Sequence, residues 1–287
     1  NAVAVSQALH PHYRTVLDTY CNANGIEVRD LTMTEEGGTS LEHLKDDAEL
    51  AALIVQSPNV FGVVEHLAEQ AEWIHARKGL LITGFTEAMA YGLLATPGSQ
   101  GADIVCGEGQ SFGLSQAFGG PYLGLMATRK AFVRNLPGRL VGQTVDNKGK
   151  RAFVLTLSTR EQHIRREKAS SNICSNQALC AFAAGVYMAA MGEKGMKQCA
   201  RLCTSKAHYF ASELQKIGCT LKYKGEFFHE FVTEVECPNC RRKILDALEA
   251  EGILGGAEVE GGILWCVTEL VSKSQLDKAV AIVKEVL

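Results

Sequence analysis

The stretch Gly101–Gly124, GADIVCGEGQSFGLSQAFGGPYLG, decides how this chain is read. Asp103–Cys106 is a short apolar run of the kind that forms a buried strand, a glycine-rich turn follows, and Tyr122–Ala127 reads as another strand. Inside the turn, Gly109-Gln110-Ser111-Phe112-Gly113 satisfies G-x-S-x-G, the nucleophile elbow of serine hydrolases. An elbow needs strand, sharp turn and helix, so that the serine stands at a helix N-terminus. Only Leu114–Phe118 separate Gly113 from Gly119-Gly120-Pro121, too few residues for that helix. A triad also needs an acid and a histidine downstream, and nothing around His163, His208 or His229 singles one of them out. On these grounds a serine hydrolase acting through Ser111 is a long shot.

Working outward, apolar runs alternate with helical patterns. Ala2–Val5, Ile26–Leu31, Ala52–Gln56 and Leu80–Phe85 read as strands, with helices over Pro11–Ala23 and from the Ser57-Pro58-Asn59 turn to about Arg77. Thr39-Ser40-Leu41-Glu42 reads as a capping box opening a short helix. Strands separated by helices imply a mostly parallel sheet covered on both faces. The second half differs. Asn176–Met191 and Lys194–Ile217 form helices broken at Gly192, with Ser175 or Asn176 as the cap. Strands follow near Cys219–Tyr223 and Glu230–Val235, then a helix Asn239–Glu251, a strand Ile263–Val267 and a helix Lys273–Val286. The expected organisation is a large α/β domain over 1–158 and a small α+β domain over 159–287.

The composition is that of an ordinary globular chain: 46% of the 287 residues are hydrophobic and 21% charged. A net charge of -3 gives no electrostatic case for nucleic acid or an anionic membrane. The most apolar segment, Ala178–Met191, falls short of the roughly 20 residues a bilayer span needs. The chain opens at Asn1 directly on a strand, so a fragment is expected, with no signal peptide ahead of that strand. Ten cysteines without a signal peptide point to reduced thiols in the cytoplasm. Cys237-Pro-Asn-Cys240 is a single C-x-x-C with no second pair at matching spacing, so a turn into a helix is expected and no metal. His10-Pro11-His12 likewise reads as a strand-to-helix turn.

An α/β fold with a small C-terminal domain suits a pyridoxal-phosphate enzyme. That chemistry needs a lysine for the Schiff base and a carboxylate facing the pyridine nitrogen. Between Gly79 and Thr128 there is no Lys, Arg or His. The turn is shaped like an active-site turn and lacks the amine that would run one. A stand-alone pyridoxal-phosphate transferase with its lysine elsewhere stays open at this point.

Longer motifs narrow the choice. GADIVCGEGQSFG, FGGPYLGLMATRK, PGRLVGQTVD, FVLTLSTREQHIRREKASSNICSNQAL and GGILWCVTEL resemble the P-protein of the glycine cleavage system, specifically the α subunit (subunit 1) of two-subunit glycine dehydrogenase (decarboxylating). The resemblance runs over essentially the whole chain. It implies an aspartate-aminotransferase-like fold (pyridoxal-phosphate-dependent transferase fold type I), with a further segment ahead of Asn1. It implies a heterotetramer in which a homologous catalytic β subunit carries a His-Lys pair and pyridoxal phosphate, and lipoylated H-protein accepts the aminomethyl group. Ser111 then stands at the position of the partner's Schiff-base lysine and Glu87 near that of the pyridine-facing acid. No catalytic or cofactor-binding residue is expected in this chain itself, and the isolated fragment is expected to self-associate. The chain ends after a helix, which favours a separate subunit over half of a fused P-protein.

Two polar stretches are candidates for facing that partner. Arg160–Lys168 clusters charge at the domain junction, and the readings are a solvated run or a basic face toward the β subunit through Arg165, Arg166 and Asn172. Pro137–Asp146 reads as a loop with Arg139, Gln143 and Thr144 as contacts, or as a plain surface connector.

Overall fold

The computed structural model describes residues 2–42, 49–169 and 175–287. The first half alternates strand and crossover: β1 (Ala2–Ser6), α1 (Pro11–Ala23), β2 (Glu27–Leu31), β3 (Leu50–Gln56), α2 (Leu67–Ala76), β4 (Leu80–Phe85), β5 (Ile104–Glu108) and β6 (Gly124–Thr128). They form one sheet in the order β2-β1-β3-β4-β5-β6. All pairings are parallel except β5 with β6, which is antiparallel and gives the sheet an edge of opposite sense. A tight return suffices for an antiparallel neighbour, which is why the Ser111 turn needs no helix.

The inner strands β1, β3 and β4 are largely apolar because both faces are covered, whereas the edge strand β2 carries Glu27, Arg29 and Asp30. Ala2 and Ala4 of β1 join Leu53, Val55 and Leu81 in a core closed by Leu67, Ala71 and Ile74 of α2. Those three recur at helical spacing, so they share one face. Val3 and Val5 point the other way, onto Leu9, Cys21, Tyr13 and Leu17 around α1. The β4-to-β5 crossover contains two 3-10 turns in place of a regular helix, Ala88–Gly92 and Pro97–Gln100.

Two expectations are corrected here. Pro137–Asp146 is not a loop: β7 (Leu140–Val145) pairs with β8 (Arg151–Thr156) in a separate antiparallel hairpin. Asp146 closes it, its Oδ1 accepting from the amides of Lys148 and Lys150 at 2.8 and 2.9 Å. The hairpin is hard to see in sequence because neither face is buried against this chain, so no clean alternation marks it. Cys219–Tyr223 is not a strand either, contributing one bridge between Leu221 and Thr233. The short helix expected after Thr39–Glu42 lies outside the described residues. The Thr39 hydroxyl is engaged with Ser6 Oγ at 2.8 Å.

A short helix α3 (Gln162–Arg165) precedes α4 (Ala178–Lys216), which is two helical segments meeting at Gly192, at φ 59° and ψ 179°. Asn176 Oδ1 accepts from the Ala178 amide at the start of α4. The first segment packs Cys180 and Ala184 against Leu123 beside the Ser111 turn. The second delivers Ala207, Phe210, Ala211 and Leu214 to a distinct core. That core is completed by β9 (Glu230–Glu234), α5 (Pro238–Ala250), β10 (Ala257–Val259), β11 (Gly262–Cys266) and α6 (Lys273–Val286), with sheet order β10-β11-β9. Trp265 Nε1 donates to Thr233 Oγ1 at 2.8 Å, satisfying the buried indole. Backbone hydrogen bonds tie this half to the first: Val64 N to Glu226 O at 2.8 Å and Phe228 N to Gly62 O at 3.3 Å. Among the described residues, no helix is long and apolar enough to cross a membrane.

Candidate functional site

β4 and β5 are adjacent parallel strands, and the residues just past their C-terminal ends face a common space, where open α/β sheets place their sites. After β4 comes Glu87, which caps the Ala88–Gly92 turn by accepting from the Met89 amide at 2.6 Å. After β5 comes the Ser111 turn. Glu108 Oε1 pins it, accepting from Gln110 N at 2.9 Å and Leu123 N at 2.7 Å. The space is a cleft of about 660 Å³, closed from the other side by Tyr187 and Cys203 of α4, His229, and Thr268–Leu270 after β11.

Burial governs the electrostatics. It pushes the Glu87 carboxyl up; the Ser111 hydroxyl and the Met89 amide draw it back, and Glu269 adds a further upward push. Ser111 Oγ is buried yet makes no hydrogen bond of good geometry among the described residues. Burial lowers His229 to about 4, and its buried Nδ1 has no partner among the described residues. The Nε2 stands 3.9 Å from Glu87 Oε2. Glu230 is raised to about 7, first by burial and then by Glu87. Burial, reinforced by Glu269, also raises the Cys203 thiol.

Glu87 and Ser111 are thus brought together. Arg139, Gln143, Thr144, Arg165 and Arg166 do not line the cleft and are exposed elsewhere. Asn172 lies outside the described residues. Arg139 shares a separate groove with Ser175 and Asn176. Cys237 is the N-cap of α5, its Sγ accepting from the Cys240 amide at 3.2 Å, as a turn into a helix requires. His10 Nδ1 likewise accepts from the His12 amide at 3.2 Å where α1 begins. Sequence reasoning missed His229, Cys203 and Glu269 as cleft residues. They come from three elements distant in the chain, and no local motif marks them.

A pyridoxal phosphate held by this chain's own residues does not fit. Among the described residues no Lys or Arg lines the cleft, so it offers neither an amine for a Schiff base nor a cation for the phosphate. Three carboxylates, those of Glu87, Glu108 and Glu269, line it instead. The elbow also fails, since β6 follows the turn with no supporting helix between.

The glycine cleavage system P-protein family model matches residues 1–283. The chain belongs to the glycine cleavage system P-protein family. It is 49% identical over 99% of its length to the "Probable glycine dehydrogenase (decarboxylating) subunit 1" of Desulfotalea psychrophila, and 47% identical over 97% to that of Desulfitobacterium hafniense. In both cases it spans 64% of the relative's length. The crystal structure of a glycine decarboxylase (P-protein) in inhibitor-bound form superposes with a TM-score of 0.92 at 39% identity, covering 100% of this chain and 65% of that one. An aspartate aminotransferase from Thermus thermophilus, at 12% identity over 99% of this chain and 77% of its own, shares the fold with a TM-score of 0.67. This P-protein family chain therefore has the aminotransferase-like α/β fold that its motifs imply.

Proposed function

We propose that this P-protein chain is the α subunit of a heteromeric glycine dehydrogenase (decarboxylating), and that it works without a cofactor of its own. The carrying observation is Ser111: the turn past β5 is built and pinned by Glu108, yet it presents a hydroxyl in a cleft that, among the described residues, is lined by no amine. In this reading the homologous β subunit holds pyridoxal phosphate and decarboxylates glycine, and lipoylated H-protein takes the aminomethyl group. The described cysteines form no disulfide with one another; we place the assembly in the cytoplasm, where thiols stay reduced.

The surface supports a partner. On α4, Leu179, Phe182 and Val186 share a face and are 81%, 72% and 54% exposed. On the β7–β8 hairpin, Val141 lies opposite Leu155 and Gln143 opposite Phe153, all exposed on one face. A two-stranded hairpin is marginal alone in water, so an apolar face of this kind wants a cover. In our reading the β subunit covers it, with Arg139, Gln143 and Thr144 on the hairpin side and Arg165, Arg166 and Asn172 on the approach to α4.

Measurements on the isolated chain and on the assembly test this. The purified chain incubated with pyridoxal phosphate and then dialysed is expected to lack the visible absorbance of a lysine-bound cofactor, and a serine-directed phosphonate is expected not to label it. Retained absorbance or labelling of Ser111 would reverse the assignment. With the β subunit and H-protein added, glycine–bicarbonate exchange is expected to appear. Arg165→Glu/Arg166→Glu should reduce co-purification and exchange together, by about tenfold or more if the two charges are desolvated at the interface. Full exchange with the reversed charges would remove these arginines from the contact.

A further inference from the structure

The cleft holds a cluster that neither the fold nor the subunit reading uses. Cys199 and Cys203 are four residues apart on the second segment of α4, so both thiols sit on one helix face. Both residues are buried, and Glu269, from the loop after β11, reaches the same point. The two sulfurs and a carboxylate oxygen of Glu269 all lie within 4.8 Å of one another. Cys203 Sγ stands 3.4 Å from Glu269 Oε2. Lys206 Nζ donates to the backbone carbonyl of Glu269 and fixes where the loop sits.

The Cys203–Glu269 separation matches one edge of a coordination tetrahedron. Zinc–sulfur bonds of about 2.3 Å and zinc–oxygen bonds of about 2.0 Å give sulfur–oxygen edges of about 3.5 Å and sulfur–sulfur edges of about 3.8 Å. The other two pairs lie within 4.8 Å and would close by at most about 1.3 Å to reach such edges. Cys203 and Glu269 line the cleft, so the fourth position opens onto it. His229 lines the same cleft, and its buried Nδ1 has no partner among the described residues, which gives the space a further unused nitrogen donor. Two thiolates and a carboxylate select a borderline-soft divalent ion over magnesium or calcium.

The geometry points to a three-ligand site for zinc or a similar divalent transition metal at Cys199, Cys203 and Glu269, with its open position facing the cleft. This site concerns this chain alone and stands or falls apart from the subunit reading.

Cobalt(II), a coloured stand-in for zinc, tests it. The purified chain, reduced with a phosphine, is titrated with cobalt(II) and then with zinc. One equivalent of cobalt should bind with thiolate-to-metal charge-transfer absorption and the intense visible bands of a tetrahedral centre, and zinc should bleach both. Cys199→Ser/Cys203→Ser should abolish the charge-transfer band. Glu269→Gln, at a half-exposed side chain that leaves both thiols in place, should weaken cobalt binding by about tenfold or more, as losing a ligand must. Far-ultraviolet circular dichroism checks that each variant is folded. The site is overturned if no charge-transfer band appears, which would make the thiols plain packing groups. It is equally overturned if Glu269→Gln binds as tightly as the parent. A band that vanishes with Cys237→Ser/Cys240→Ser or Cys266→Ser and not with Glu269→Gln would also overturn it.

Discussion

Gly62→Ala is expected to lower the unfolding free energy by on the order of 3 kcal/mol, a large share of the stability of a domain this size. Gly62 has φ +85°, in the left-handed region that glycine enters without strain. A β-carbon there would overlap the carbonyl carbon and oxygen of Glu230 and come within 2.9 Å of the Glu230 Cβ. The obstacle is the backbone of β9, which cannot turn aside as a flexible side chain could. Gly62 is also where the halves touch, accepting from Phe228 N at 3.3 Å next to the Val63–Phe227 bridge. Relief of the overlap therefore has to push β9 away and carry His229 and Glu230 with it. Urea unfolding at neutral pH measures the effect. Gly98→Ala is the control, because a β-carbon at that glycine meets nothing within 4 Å and its φ is ordinary. A Gly62 variant within about 0.5 kcal/mol of the parent, the usual range for an innocuous surface change, would mean that the two halves do not meet as described.

The second large effect concerns pH. Glu230 is raised to about 7 in the folded chain, from an ordinary carboxyl value of 4.5. A raised carboxyl contributes stability that is fully present below the unfolded value and lost as pH rises through the folded one. The loss runs from about pH 4.5 to about pH 7 and amounts to on the order of 3 kcal/mol. His229 works the other way. Lowered from 6.5 to about 4, it contributes stability that is present above pH 6.5 and lost as pH falls through 4. Between pH 4.5 and 6.5 the two slopes oppose each other. Glu230→Gln removes one of them, so the variant should match the parent near pH 4 and exceed it at pH 8. Unfolding free energies across pH 4–8, taken as variant minus parent so that all other titrations cancel, should rise by on the order of 3 kcal/mol. A flat difference would place the Glu230 carboxyl in water.

The parallel sheet was legible because β1, β3 and β4 are unbroken apolar runs, which only a sheet buried on both faces demands. The break in α4 at Gly192 was legible from one glycine between two strong helical patterns. The β7–β8 hairpin was not, since its exposed valines and Phe153 follow no buried face of this chain. Glu87 and Ser111 could be paired from sequence only through the family resemblance, which placed both near one cofactor position. The opposite wall of the cleft was hidden for a simpler reason. Cys203, His229 and Glu269 meet only after the second half has folded back over the first, and no spacing along the chain encodes that meeting. Asp103, in a span that carries no Lys, Arg or His, is structural. It holds Leu81 N at 2.9 Å, His75 Nε2 at 2.7 Å and Arg129 Nη1 at 3.0 Å.

The joint at Gly192 has a mechanical corollary. The peptide ladder of α4 cannot run through a residue at φ 59° and ψ 179°, so the helix acts as two stiff levers on one pivot. Tyr187 rides on the first lever and Cys203 on the second, and both form walls of the same cleft. The spacing of these two walls thus depends in part on the bend angle at one residue that carries no side chain.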